Sequence, residues 1–232
     1  MQINVRQAAQ LLNVSEKTVY RWIKEGTLPA YRINDQYRIQ RYELLEWATR
    51  RQVPISEEIF HEPEVSEEEP SLEKALDAGG IFYRIEGNDK NSILQSIVRT
   101  MKLPDNVDLE FLHRALIARE EMCSTALGDG IAIPHPRNPI ILHVTQPSIT
   151  LCFLEKPVDF DALDGKLVNV LFTLISHTVR AHLRLLFRLS FALQDKKFKS
   201  VISNPGTREK ILSEAHRIDE ILNQKMSSHT SR

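Results

Sequence analysis

Residues 128–136, with the sequence GDGIAIPHP, hold one histidine between two prolines. His135 follows a short apolar run, and two glycines precede that run. Proline fixes φ and removes a backbone donor, whereas glycine lets backbone amides approach a ligand closely. An imidazole nitrogen is a nucleophile, and free amides bind phosphate oxygens. The segment therefore indicates either the end of a strand with an incidental histidine or a phosphoryl acceptor with a binding loop at Gly128, Asp129 and Gly130.

Arg119 and His182 each place a polar side chain on an otherwise apolar helical stripe. The arginine continues the stripe of Leu109, Leu112 and Leu116. It either carries its charge to solvent over an apolar stem or directs its planar donors at phosphate. His182 begins a stripe that continues through Leu186. It is either a core histidine with its hydrogen bonds satisfied or a ligand near a helix N-terminus, which favours negative charge.

Three apolar runs of β type must position these side chains. They cover residues 131–133, 149–154 and 167–175, and helical stripes alternate with them. Strands that alternate with helices are typical of an α/β layered domain. The spacing of Ile211, Ala215, Ile218 and Leu222 predicts a covering helix at the C-terminal end, with disorder after residue 224.

The first fifty residues predict a second, smaller unit of two short helices, a β-hairpin and a third helix. Ser15 is a good N-cap, and Val19, Trp22 and Ile23 recur at helical spacing behind it. The hairpin at 31–39 is expected to turn at Asn34 and Asp35. Two helices joined by a tight turn form a helix-turn-helix. The polar residues that would contact DNA from the second helix and the hairpin are Lys17, Thr18, Tyr20, Arg21, Lys24, Arg32 and Arg38.

Charge divides the chain between these two units. Residues 1–51 carry nine Lys or Arg and five Asp or Glu, whereas residues 52–70 carry seven Glu and no Lys or Arg. Glutamate and proline with few large apolar side chains indicate an extended linker, although a solvated loop within one domain is the alternative. We therefore predict a domain at 1–51, a linker at 52–70, a domain at 71–224 and a disordered tail at 225–232.

Several classes of protein are disfavoured by composition and motifs. The chain of 232 residues has two cysteines, so no disulfide framework is expected, and no stretch is apolar enough for a membrane span. A cytoplasmic protein is the simplest expectation. The two cysteines and the histidines lack zinc-ligand spacing, so no metal is expected. The sequence contains neither a nucleophile elbow nor a phosphate-binding P-loop. The histidines interpreted as structural or linker residues are His61, His113, His143, His177 and His216.

The C-terminal part resembles the mannitol/fructose-type enzyme IIA domain of the bacterial sugar phosphotransferase system, particularly its nitrogen-regulatory branch. The resemblance is carried by Arg119-Glu120, the 128–136 segment, residues 157–165 and His182-Leu183, in the family's order and spacing. It implies a mixed sheet flanked by helices. It also implies that His135 accepts a phosphoryl group from a histidine phosphocarrier protein, beside His182 and Arg119 and without a cofactor. Arg137 departs from the transport-type pattern, which leaves the identity of the carrier open.

The N-terminal part resembles the excisionase/MerR-like winged helix-turn-helix family. The matching segments are 8–12, 14–15, 18–22, 26–29 and the strand at 37–39. The resemblance implies that the second helix enters the major groove of double-stranded DNA and that the hairpin acts as a wing. The alternatives to DNA binding are that the basic face is a solvated surface or that the unit is an adaptor that binds protein. Since one such module buries only about 600–1,000 Å² on DNA, two copies are expected to act together as a homodimer.

Together these features predict a two-domain regulator in which phosphorylation of His135 modulates DNA binding. The alternative is a non-catalytic DNA-binding or adaptor protein whose enzyme IIA-like domain only docks to a partner.

Overall fold

The structure is a computed structural model that describes residues 2–33, 36–51, 53, 55, 70–105, 107–137, 144 and 146–230. The chain separates into two compact units, Met1–Glu68 and Glu69–Arg232. Most of the predicted linker, the hairpin turn at Asn34 and Asp35, and His61 and His143 lie outside the described residues. No described helix combines the length and the apolar character that crossing a bilayer requires.

The N-terminal unit is the predicted helix-turn-helix with a small sheet. Ser15 caps the second helix by accepting a hydrogen bond from the Thr18 amide at 3.2 Å. The Trp22 and Trp47 rings pack with centroids 4.8 Å apart, which joins the second and third helices. One strand was not predicted, and it lies antiparallel to the wing with Ile3 opposite Ile39. The elements are β1 (Gln2–Asn4), α1 (Val5–Leu11), α2 (Glu16–Lys24), β2 (Tyr31–Ile33), β3 (Gln36–Gln40) and α3 (Arg41–Arg50).

The C-terminal unit is the predicted mixed α/β domain. The five strands that its described residues form have the order β4-β7-β8-β6-β5, in which β4–β7 and β6–β8 are parallel pairs and the other two pairs are antiparallel. The elements are α4 (Leu72–Gly79), β4 (Ile81–Ile85), α5 (Lys90–Thr100), α6 (Leu109–Met122), β5 (Ala126–Gly128), β6 (Ile131–Ala132), β7 (Ser148–Val158), β8 (Val168–Ile175), α7 (Val179–Gln194), α8 (Lys196–Ser203) and α9 (Arg208–Thr230).

Helices cover the sheet through an apolar core, and a buried carboxylate connects several of them. Ile93 of α5 and Leu112 of α6 pack against Cys152 and Leu171 of the central strands. Asp219 of α9 accepts hydrogen bonds from the Leu72 and Glu73 amides at 3.0 Å and from the Ser71 hydroxyl at 2.7 Å. Arg188 of α7 donates to the same carboxylate at 2.7 Å. One carboxylate thus joins three helices.

The C-terminal helix extends further than the sequence analysis expected. Disorder was predicted from residue 225, but α9 continues to Thr230. The Lys225 ammonium lies 4.9 Å from the Phe191 ring centroid of α7, which is within cation–π range. The assigned helix thus covers residues 225–230, and the predicted domain boundary at residue 224 stays a prediction.

Candidate functional site

The pairing of β6 with β8 sets the position of His135. The Leu174 amide donates to the Pro134 carbonyl at 3.0 Å, which continues the parallel ladder one residue short of the histidine. Nδ1 of His135 lies 2.8 Å from the Ile133 carbonyl oxygen. Because a carbonyl only accepts hydrogen bonds, Nδ1 carries a proton, and in the neutral ring the lone pair is then on Nε2. His135 is 2% exposed, so the fold buries this side chain.

His182 packs beside His135, as the sequence analysis expected. The two ring centroids are 5.1 Å apart, with planes inclined by 51°. His182 lies in the first turns of α7, whose N-cap residue Thr178 accepts a hydrogen bond from the Ala181 amide. Burial lowers the pKa of His182 well below 6.5, and electrostatic interaction with the His135 imidazole and with the Arg119 guanidinium lowers it further. A neutral ring at this position becomes protonated more readily when a negative group binds between the two histidines.

Arg119 reaches the same region from the last turn of α6. The residue is 6% exposed, and Nη1 donates to the Cys123 carbonyl at 2.7 Å. Its charge is close enough to lower the pKa of His182. The Arg119 guanidinium is therefore buried, which excludes the alternative in which the side chain carries its charge to solvent. It supplies a positive charge next to the paired rings, which suits an anionic ligand.

Glu120 and Thr125 hold His135 indirectly; Glu120 entered the sequence analysis only as part of the Arg119-Glu120 motif, and Thr125 was given no role. Both carboxylate oxygens of Glu120 lie 3.1 Å from the Thr125 amide, and Oε2 accepts the Thr125 hydroxyl at 2.6 Å. The Thr125 carbonyl in turn accepts the Ile133 amide at 3.1 Å. The Ile133 carbonyl then binds Nδ1 of His135. The sequence signal for this role was the glutamate next to Arg119. The contacts from Glu120 to His135 could not be predicted, because they depend on the pairing of β5 and β6.

The glycine turn does not join this site. The Asp129 amide donates to Asp164 at 2.8 Å, and the Gly130 carbonyl accepts the Asn169 and Val170 amides. These partners lie at the start of β8, whereas His135 lies beside Leu174. Four strand residues separate the two positions, a distance of about 13 Å. The structure therefore does not bring Gly128, Asp129 and Gly130 to His135, and a phosphate-binding role for this loop stays a prediction.

The glycine turn has a structural role. Gly128, Asp129 and Gly130 all have positive φ, and a Cβ on Gly130 would lie 2.7 Å from Asn169 Oδ1. The Asp129 carboxylate binds the Lys166 and Lys199 ammonium groups at 2.6 Å each. These two lysines lower the pKa of Asp129 to about 2. The glycines thus permit a tight turn that ion pairs connect to the segment before β8 and to α8.

Arg137, His113 and His216 of the C-terminal unit have partners elsewhere in that unit. The Arg137 guanidinium lies 3.7 Å from the Met122 sulfur, so the residue that departs from the transport-type pattern lies beside the end of α6. His113 is 3.3 Å from the Asn91 carbonyl, and His216 is 2.7 Å from Glu73. Among the described residues, no group of three or more His, Cys, Asp or Glu could hold a metal ion.

In the N-terminal unit, most of the predicted DNA-contacting residues lie on one exposed surface. Lys17, Tyr20, Arg21, Lys24 and Arg32 are exposed. The Tyr20 and Tyr37 rings meet edge to face at 6.1 Å and connect α2 to the wing. Thr18 is half-buried, with its hydroxyl 2.9 Å from that of Ser15, and Arg38 is half-buried on β3. The contacts of Thr18 are therefore with Ser15 at the N-cap of α2.

Residues 74–216 match the family described as "Phosphoenolpyruvate-dependent sugar phosphotransferase system, EIIA 2". This match spans more than half of the chain, so the chain belongs to that family. Residues 3–52 match a helix-turn-helix domain family. Both resemblances drawn from the sequence are confirmed.

Individual relatives agree with this assignment. The chain is 33% identical to the nitrogen regulatory protein of Pseudomonas aeruginosa over 142 residues, which cover 60% of this chain and 90% of that protein. It is 34% identical over 107 residues to the nitrogen regulatory protein of Escherichia coli K12, covering 45% and 61% of the two chains. A solved putative IIA domain from Streptococcus pyogenes has the same fold, with 20% identity and a TM-score of 0.50 over 64% of this chain and 97% of that one.

Proposed function

We propose that the EIIA unit accepts a phosphoryl group on Nε2 of His135 from a histidine phosphocarrier protein. The bond from Nδ1 to the Ile133 carbonyl carries this proposal, because it leaves the lone pair on Nε2. Nε2 forms a bond to phosphorus while the P–N bond of the donor breaks, and that electron pair returns to the donor nitrogen. His135 keeps its Nδ1 proton. The donor already holds an activated phosphoryl group, so the transfer requires neither a metal nor a nucleotide.

The neighbouring side chains suit the charge of the product. A phosphoryl group carries about −1.5 to −2 charges at neutral pH. Arg119 supplies a buried positive charge. His182 is held neutral by burial before transfer, and the bound dianion favours its protonated form. His182 then donates a hydrogen bond to the group that has arrived.

Intact-mass measurement after incubation with a phosphoenolpyruvate-driven carrier relay tests this function. The wild-type chain should gain the mass of one phosphoryl group, and His135→Ala should gain none. His113→Ala is the matched control, because that histidine contacts the Asn91 carbonyl on another helix. A wild-type chain that binds the carrier but gains no mass would instead support the alternative, in which the domain acts by docking alone.

We further propose that the N-terminal unit binds double-stranded DNA through α2 and the wing. Exposed Lys17, Arg21 and Lys24 on one helix support this role. One module is small, so we infer that two copies act together as a homodimer, in the cytoplasm, where DNA and the carrier are both accessible. Lys17→Ala should weaken binding to all sequences and reduce the salt slope by about 1. DNA affinity that does not depend on salt would contradict this role.

Phosphorylation of His135 is proposed to modulate this DNA binding. An added charge of about −1.5 to −2 on one unit changes its electrostatic interaction with a basic neighbour. Coupling of this kind typically amounts to about 1–3 kcal/mol. DNA affinity should therefore differ between the phosphorylated and unphosphorylated protein at one salt concentration, with His135→Ala as the control. Equal DNA affinities of the two forms would show that phosphorylation of His135 and DNA binding are not coupled.

A further inference from the structure

The His182 ring that packs against His135, and a serine that directly follows β8, each carry a buried polar atom with no hydrogen-bond partner among the described residues. The two atoms are the Ser176 hydroxyl oxygen and Nδ1 of His182. Ser176 is fully buried and His182 is 1% exposed. The large majority of buried polar atoms are hydrogen-bonded, so each exception requires an explanation. Two such atoms, one of them on the ring that packs against His135, indicate a place where a polar group binds during function.

Strand register places Ser176 on the same side of the sheet as the His135 ring. Ile131 is paired with Val170, and the Leu174 amide donates to the Pro134 carbonyl, so the same offset pairs His135 with Leu174. Paired residues of neighbouring strands, about 4.8 Å apart, point to the same face, as do residues two apart along one strand. Ser176 therefore follows Leu174 on the face that carries the His135 side chain.

The position of Ser176 also brings its hydroxyl to the start of α7. Only His177 lies between it and Thr178, the N-cap of this 16-residue helix. A helix N-terminus favours a bound anion. The buried Ser176 hydroxyl and Nδ1 of His182 can both donate hydrogen bonds to an anion that binds at the start of this helix.

We propose that Ser176 is a further phosphoryl-binding residue, whose hydroxyl donates to one oxygen of the group on His135. This inference rests on the proposed function. The phosphoryl group has three strong acceptor oxygens, so Arg119, His182 and Ser176 can each bind one. The enzyme IIA resemblance and the sequence analysis assigned no role to Ser176.

The test uses phosphoramidate, a small donor that phosphorylates imidazole without a docked carrier protein. Nε2 of His135 attacks phosphorus, the donor P–N bond breaks, and its electron pair leaves with ammonia. Ser176→Ala should be phosphorylated about tenfold more slowly than the wild type, because it loses a hydrogen bond to a charged group. The phosphorus-31 resonance of its phosphohistidine should also shift. Its unfolding midpoint should be unchanged, since no hydrogen bond of the folded state is removed.

Thr173→Val is the matched control. The Thr173 hydroxyl is likewise buried without a partner among the described residues, but it lies on the opposite face of β8. It should match the wild type in rate, resonance and stability. A Ser176→Ala protein that matches the wild type in rate and resonance overturns the inference and leaves His135 phosphorylation intact. Loss of stability in Ser176→Ala overturns it as well, because the hydroxyl is then structural. A wild-type chain that is not labelled on His135 overturns both proposals.

Discussion

Replacement of Glu120 by glutamine tests whether a buried carboxylate positions the phosphoryl acceptor. Glu120 is 5% exposed and accepts the amide and hydroxyl of Thr125 at 3.1 and 2.6 Å. Glutamine has the same shape but only one acceptor oxygen, and its NH2 group faces a donor. One charge-assisted bond is therefore lost, and one buried donor is left unsatisfied.

The expected cost is about 2–4 kcal/mol in the free energy of unfolding, from a lost bond to a charged group and an unpaired donor. The effect on transfer follows from the next two contacts. Thr125 holds Ile133, and Ile133 holds Nδ1 of His135. A displacement of about 1 Å in a reacting group can lower a rate about 100-fold, so we expect transfer to be about 10- to 100-fold slower.

Urea unfolding and the rate of phosphorylation by the carrier relay measure these two effects. Glu121→Gln is the matched control, because the neighbouring residue is exposed. That variant should stay within about 0.5 kcal/mol of the wild type, as surface substitutions usually do. If Glu120→Gln retains both wild-type stability and the wild-type rate, the chain of contacts from Glu120 to His135 does not position the ring.

Three further predictions concern other parts of the EIIA unit. Arg188→Met should lower the unfolding free energy by about 3 kcal/mol, because the buried Asp219 carboxylate loses its 2.7 Å cationic partner; a loss below about 1 kcal/mol in urea unfolding would contradict this. The pKa of His182 lies below 6.5 in the fold, so the unfolded chain binds more protons and stability should fall as the pH drops below about 6.5. His182→Gln should reduce this slope in urea titrations between about pH 7 and pH 5, and an unchanged slope would refute the assignment. Asp129→Asn should leave the phosphorylation rate of His135 within about twofold of the wild type, since the glycine turn lies about 13 Å along the sheet from His135. A large loss of rate in the relay assay would indicate that the glycine turn contributes to phosphoryl transfer.

The helices, the main strands and the two-unit organisation were predictable from local features. Ser15 and the stripe of Val19, Trp22 and Ile23 suffice to predict α2, because a cap and helical periodicity are encoded within a few residues. The run at 167–175 likewise contains β8. The end of α9 lies beyond the apolar stripe that finishes at Leu222, so helical periodicity gave no signal for it.

The residue types that phosphoryl chemistry requires can be read from the sequence: a histidine between prolines, an arginine at the end of a helix and a second histidine at the start of another. Which of these side chains meet depends on the fold. The parallel pairing of β6 with β8 brings His135 to the start of α7, where its ring packs against His182, and it carries the glycine turn to the other end of the strands. Glycine spacing is a local signal that permits a turn, whereas strand direction and register depend on contacts between residues distant in the chain.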